Sequence, residues 1–134
     1  MLARASSCVG SSWCHAMFKI KYCHKIFDDK EVRVYVAELF FLISTLYDMP
    51  IKKMGFGDDH VHLQVNIKLK SKPDAAKILK GITANKIFKQ FPEIKKKFFW
   101  DSGFWNPAYL MDNIGSNESS ISNYISTQKY SVEH

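Results

Sequence analysis

From His15 onward apolar and polar residues alternate. Ala16, Phe18 and Ile20 fall on one side and Met17, Lys19 and Lys21 on the other, which predicts a first strand over 15–22. Asp28 and Asp29 then precede Val32, Val36, Leu39, Phe40, Ile43 and Tyr47, which recur at helical spacing up to Asp48. Acidic residues at that start suit the positive end of a helix dipole. Val32, Val34 and Val36 also alternate as in a strand, so the first boundary stays open, while the length of the stretch favours helix. Pro50 closes it, and a second strand is expected over 51–56. Gly57-Asp58-Asp59 supplies a turn into a third strand over 60–69, giving a hairpin. In that third strand Val61, Leu63, Val65 and Ile67 face one way, and His60, His62, Gln64, Asn66 and Lys68 the other. The apolar row belongs to the core, and the polar row is expected to line an open face.

Ser71-Lys72-Pro73 reads as a cap with Pro in the first turn of a second helix. Ala75, Ile78, Leu79 and Ile82 point inward there, and the helix ends before Pro92. Lys95, Lys96 and Lys97 form a solvated run beside Phe98, Phe99 and Trp100. Residues 104–111, interrupted by Pro107, read as an edge strand or an ordered loop. A last helix starts near Ser116-Asn117-Glu118 and carries Ile121, Tyr124, Ile125 and Gln128. Its serines and asparagine form helix poorly alone, so packing, for instance against another subunit, has to hold it. The order predicts an α+β sandwich of ferredoxin-like or RRM-like type. One antiparallel sheet would be covered by helices, with a C-terminal helix carrying the tyrosine. Residues 1–14 are expected to be a loose N-terminal extension and 15–134 a single domain.

Composition narrows the classes. The chain has 134 residues, 46% hydrophobic against 24% charged, which suits one domain with a real core and not a disordered chain. Lys and Arg number 19 against 13 Asp and Glu, and 17 of the 19 are lysines. Lysines are solvated point charges that suit a phosphate backbone better than bidentate reading of bases. Lys19, Lys21, Lys68 and Lys80 are the candidate DNA-backbone contacts. Cys8, Cys14 and Cys23 are odd in number and lack a CxxC pair, which argues against a disulfide framework and a zinc knuckle. No apolar run approaches the roughly 18 residues of a membrane span. The Ser-rich start lacks the apolar core of a secretory signal, so a reduced cytoplasmic setting without a membrane partner is expected.

Four residues carry the chemistry. His60 and His62 project from one face of a strand, and two imidazoles on one face are half of a divalent-metal site. Tyr124 and Gln128 are four apart, the spacing that places two side chains on one helix face. Each has a plain reading: solvent-facing histidines, an aromatic packing its helix, a surface glutamine. Asp58 and Asp59 could orient an imidazole, but their role in the turn is favoured. Together the four suggest metal-assisted phosphodiester chemistry.

Several segments resemble one family in order and interval. They are His15 to Phe27 (HAMFKIKYCHKIF), Asp59-His60-Val61-His62-Leu63, and Leu79-Lys80-Gly81-Ile82-Thr83-Ala84. Phe91-Pro92-Glu93-Ile94, the Trp105 to Tyr109 segment and Tyr124-Ile125-Ser126-Thr127-Gln128 follow. The chain thereby resembles the small single-tyrosine HUH transposases of bacterial and archaeal insertion sequences, with the related repeat-associated tyrosine transposases. The resemblance implies that Tyr124 is the nucleophile and that His60, His62 and Gln128 bind Mg²⁺ or Mn²⁺. It implies cleavage of single-stranded DNA to a 5′-phosphotyrosine and a free 3′-OH, followed by strand transfer. It also implies recognition of a hairpin near the element ends, and a homodimer in which the tyrosine helix of one subunit serves the histidines of the other. A prokaryotic, nucleoid-associated setting goes with it. Gly57-Asp58 stands where the family commonly has Met-Pro, and Asn106-Pro107-Ala108 replaces its basic-glycine turn. The alternatives are a non-catalytic RRM-like nucleic-acid-binding module and a domesticated nuclease acting on hairpin repeats.

Overall fold

The computed structural model describes residues 12–99 and 102–132. Its strands are β1 (Trp13–Ile20), β2 (Ile51–Phe56), β3 (His60–Asn66), β4 (Trp105–Asn113) and β5 (Tyr130–Val132). Its α-helices are α1 (Lys30–Leu46), α2 (Lys72–Gln90), α3 (Pro92–Phe98) and α4 (Glu118–Ser126). The sheet order is β4-β1-β3-β2-β5, and all pairs are antiparallel. The first four strands with α1 and α2 form the expected α+β sandwich of ferredoxin-like type.

Local chemistry explains the boundaries. Asp29 caps α1, its carboxylate accepting from Glu31 N at 2.9 Å and Val32 N at 3.4 Å, so the ambiguous valines become helix. Ser71 caps α2 by accepting from Asp74 N at 3.2 Å. Pro107 is tolerated because β4 is an edge strand, where a missing donor breaks no ladder. Val61, Leu63 and Val65 face the helices together with Ala16, Phe18 and Ile20. Phe18, Phe27, Phe40, Phe56, Phe99 and Phe104 are fully buried, each contributing on the order of 2–3 kcal/mol of apolar burial. Among the described residues no helix is long and apolar enough to cross a membrane. Cys14 is buried and Cys23 exposed, both as free thiols, while Cys8 lies outside the described residues.

The structure departs from the sequence reading in several places. β1 starts at Trp13, and at Lys21 the chain leaves the sheet for a 3-10 turn, Lys21–Cys23. Residues 1–11 of the expected extension lie outside the described residues. β3 stops at Asn66 because Asn66 Oδ1 accepts from Lys68 N and turns the chain. The lysine run belongs to the last turn of α3, where cations suit the negative end of the dipole. The three-residue β5 was not foreseen. Finally, the polar row of β3 is not open: His62, Gln64 and Asn66 are buried. α4 packs across that face against β2 and β3.

Candidate active site

α4 reaches the sheet because β2 offers it Gly55. Gly55 pairs with His62, so it faces the same side. Any Cβ there would overlap the Ile125 carbonyl oxygen and lie 3.1 Å from Gln128 Cβ. The weak helix former is then held by Ile125, which is fully buried, by Ser122 Oγ donating to Gln64 Oε1 at 2.6 Å, and by a Lys52–Glu118 ion pair. Gln64 Nε2 is left buried without a hydrogen-bond partner, an unfavourable contribution of about 1–3 kcal/mol.

The docked helix sets Tyr124 over the histidine strand. Its ring meets that of His62 edge-on, with centroids 5.3 Å apart at 83°. Tyr124 is still 51% exposed, so the docked helix does not seal it from solvent. The rings of His60 and His62 are 5.0 Å apart at 90°, as period two requires of neighbours on one face. Gln128 is not on the tyrosine helix: α4 ends at Ser126 and Gln128 follows in the turn to β5. The turn nonetheless brings Gln128 Oε1 to 3.3 Å from His60 Nε2, while Gln128 Nε2 donates to the Tyr124 carbonyl at 3.3 Å. All four predicted residues therefore meet within one chain.

Two neighbours fix the imidazoles. Asp59 Oδ1 lies 2.8 Å from His60 Nδ1, so the aspartate does orient the ring as well as sit in the turn. Gly57 makes room, since a Cβ there would overlap the His60 ring. His15, on β1, places Nε2 2.9 Å from His62 Nδ1, with stacked rings 5.1 Å apart. That contact takes up Nδ1 and leaves Nε2 as the free ring nitrogen of His62. Burial pulls the His62 pKa down to about 4, helped by the neighbouring His15 and His60. Burial also lowers that of His15, against the opposing pull of Asp112 on β4. Both rings are thus neutral at pH 7, the form that ligates metals.

The donors fit a divalent cation. In the tautomer that gives Nδ1–H to Asp59, His60 turns its Nε2 lone pair toward Gln128 Oε1. Gln128 cannot answer with its amide nitrogen, which the Tyr124 carbonyl holds. Two acceptors then face each other 3.3 Å apart, and a cation relieves that. Two ligand atoms bonded at ~2.1 Å and at right angles sit ~3 Å apart, close to this spacing. Asp58, Asp59 and His60 also bring one ligand atom each within 4.8 Å of one another. Lys25 and Lys19 stand 4.0 and 3.8 Å from those carboxylates, so the acids read as orienting groups.

The four candidate lysines do not form one patch. Lys19 pairs with His60 across the sheet and shares its face. Lys21 lies just beyond β1, its Nζ 5.5 Å from the Tyr22 ring centroid. Lys68 is in the turn at the far end of β3 from His60, with φ at +56°. Lys80 belongs to the other layer: its Nζ donates to the Asn106 and Pro107 carbonyls at 2.8 and 3.2 Å, and desolvation lowers its pKa. Those carbonyls sit on the edge strand, which explains why a lysine covers them. His15 was the residue that sequence reasoning missed. Its signal was the β1 alternation, which already placed it opposite the apolar row.

The sequence pattern of the family described as IS200-like transposases matches residues 8–128. The ISDra2 transposase TnpA of Deinococcus radiodurans is 29% identical over 116 residues, covering 85% of this chain and 81% of that protein. The transposase of insertion sequence element IS200 from Salmonella typhimurium is 27% identical over 115 residues, covering 85% and 74%. A crystal structure of a protein assigned as a transposase from Deinococcus radiodurans superposes with a TM-score of 0.69 at 28% identity, over 87% of this chain and 89% of that one. A REP-associated tyrosine transposase bound to a REP hairpin superposes at 0.57 with 10% identity, over 90% and 76%, a likeness of fold.

Proposed function

Because this chain belongs to the IS200-like transposase family, we propose that it is a metal-dependent transposase acting on single-stranded DNA, with Tyr124 as its nucleophile. The observation that carries this reading is the meeting of His60 Nε2 and Gln128 Oε1 at 3.3 Å beside a tyrosine ring packed on His62. His60, His62 and Gln128 hold the metal, Mg²⁺ or Mn²⁺. A cation held there would supply electrostatic stabilisation of the charge that develops on the scissile phosphate.

The chain's own residues do the rest. Tyr124 Oη attacks phosphorus, the Oη–P bond forms and the P–O3′ bond breaks. The phenolic proton leaves to solvent, and the departing 3′ oxygen takes one up as the free 3′-OH. The 5′-phosphotyrosine conserves the phosphodiester, so a second 3′-OH can reverse the step on a new target without ATP. Docking of α4 fixes Tyr124 against His62, and Asp59 and His15 hold the two imidazoles in the tautomers that leave one nitrogen of each free.

The substrate is single-stranded DNA carrying a hairpin near the element ends, met in the prokaryotic cytoplasm. The working unit is a homodimer. Within one chain Tyr124 sits over its own His62, and exchange of tyrosine helices between subunits would move α4 off this seat by way of the segment between β4 and α4. Lys19, which pairs with His60 across the sheet, and Lys21, just beyond the end of β1, contact the phosphate backbone, so binding weakens steeply with salt.

The test is nicking of labelled single strands from the gene's flanks. Cleavage in Mn²⁺ that leaves a polymerase-extendable 3′ end, and is lost in EDTA or in His60→Ala, supports the reading. Hairpin binding with no nicking, unchanged by EDTA, would replace it with a non-catalytic binding module.

A further inference from the structure

The segment between β1 and α1 is shaped unlike a plain connection. Tyr22 has φ 64° and ψ 14°, and Cys23 has φ 57°, so two consecutive residues with Cβ atoms hold a left-handed conformation. Such strain persists only where surroundings impose it. Here Ile20 N donates to Asp59 O at 2.7 Å, Lys21 N to Phe104 O at 2.9 Å, and Phe27 N to Asp58 O at 3.0 Å. Both ends of the segment are thus tied to the Asp58-Asp59 turn that leads into His60.

The strained turn spends its conformation on exposing an aromatic ring. Tyr22 is 60% exposed, while His24 is packed against Phe98 and Phe99 at 4.8 and 5.2 Å. The Tyr22 ring meets His24 edge-on at 5.9 Å, so it stands on a fixed support. Lys21 has its Nζ 5.5 Å from the Tyr22 centroid, and the Lys25 side chain is 73% exposed. A wet aromatic face held on His24, with the Lys21 ammonium beside it and the exposed Lys25 on the Asp58 turn three residues on, is a surface on which an unpaired base stacks between its phosphates.

We infer that Tyr22 is a stacking platform for an unpaired nucleobase of the DNA strand that runs into the His60–Tyr124 site, with Lys21 and Lys25 taking the flanking phosphates. This rests on the single-stranded DNA reading above and adds a base subsite to it. The platform and the histidine strand share one anchor, the Asp58-Asp59 turn, so a strand engaging both would be held at two points on one rigid unit. Stacking is tolerant of base identity, so the subsite contributes affinity and register, not sequence reading.

The experiment uses the Tyr124→Phe protein, which cannot be consumed, and flank oligonucleotides carrying 2-aminopurine at successive positions near the hairpin foot. Affinity is read by fluorescence polarisation and stacking by quenching, at one fixed salt concentration. Tyr22→Gly relieves the backbone strain, so it should melt no lower than its parent yet bind roughly 5- to 150-fold more weakly. It should also lose quenching at one position only. Tyr22→Trp, which keeps a stacking face, should retain both. Equal affinity and equal quenching for Tyr22→Gly would overturn the platform while leaving the transposase reading intact. If the parent binds no single-stranded DNA, the broader reading fails and the platform with it.

Discussion

Gly55→Ala tests whether α4 is seated as described, and it replaces no proposed ligand or nucleophile, although its Cβ would press on the stem of Gln128. The new Cβ would overlap the Ile125 carbonyl oxygen, closer than the 3.0 Å that real Cβ contacts respect, and lie 3.1 Å from Gln128 Cβ. The obstructing atom is backbone, so no rotamer change relieves it and the helix has to move as a body by roughly 0.5–1 Å, or leave. Moving it loosens the packing of Ile125, fully buried, and strains the Ser122–Gln64 hydrogen bond. An overpacked contact of this kind costs about 1–3 kcal/mol. Each kcal/mol is worth roughly 3–5 °C in Tm for a domain of this size. The catalytic cost is larger, since a ~1 Å misplacement of a reacting group removes on the order of 10²-fold in rate. Gly81→Ala is the matched control. Its Cβ meets nothing within 4 Å and it lies inside α2, so it should stabilise by about 0.5–1 kcal/mol. Thermal melts and single-turnover cleavage would be compared for both. Wild-type Tm and wild-type rate in Gly55→Ala would refute the seating of the tyrosine helix on β2.

Two further outcomes follow from the histidine pair. His15→Ala removes the partner of His62 Nδ1, so Mn²⁺ affinity measured calorimetrically without DNA should fall roughly 10- to 100-fold, and His15→Gln, which can still accept, should recover part of it; equal affinity in all three proteins would remove His15 from the site. In metal-free protein, His62 titrates at about 4 when folded against about 6.5 when unfolded, so the unfolded chain binds the extra proton and stability present above pH 6.5 is lost as pH falls toward 4. That loss is on the order of 3 kcal/mol, and urea melts of wild type and His62→Gln across the window should differ in slope, parallel profiles contradicting a buried neutral ring.

What the sequence could reveal followed the range of its interactions. Period-two alternation put His60 and His62 on one face, and Asp29 and Ser71 marked two helix starts, because those signals act within a few residues. Tyr124 and Gln128 came together, but not for the reason their spacing suggested. The helix stops between them, and the turn returns Gln128 through its bond to the Tyr124 carbonyl. His15 stayed hidden because its role depends on the β1–β3 register, which sets His15 beside Gln64 and within reach of His62. The open face was misread for a similar reason. Nothing local says that Gly55 will receive a helix from seventy residues away, or that Gln64 will be capped by Ser122. β5 is three residues long, too short to carry a periodic signal. Lys80 looked like a free cation until the edge-strand carbonyls of Asn106 and Pro107 claimed it.

The proposed function stands on a covalent bond between Tyr124 and DNA. Purified protein, labelled single strands from both flanks, and Mn²⁺ or EDTA would be run on a denaturing gel beside Tyr124→Phe, and the adduct peptide mapped by mass spectrometry. A metal-dependent shifted band, absent in the variant and carrying the nucleotide mass on Tyr124, is the expected result. A band that persists in Tyr124→Phe, or no band with either flank despite tight hairpin binding, would contradict it.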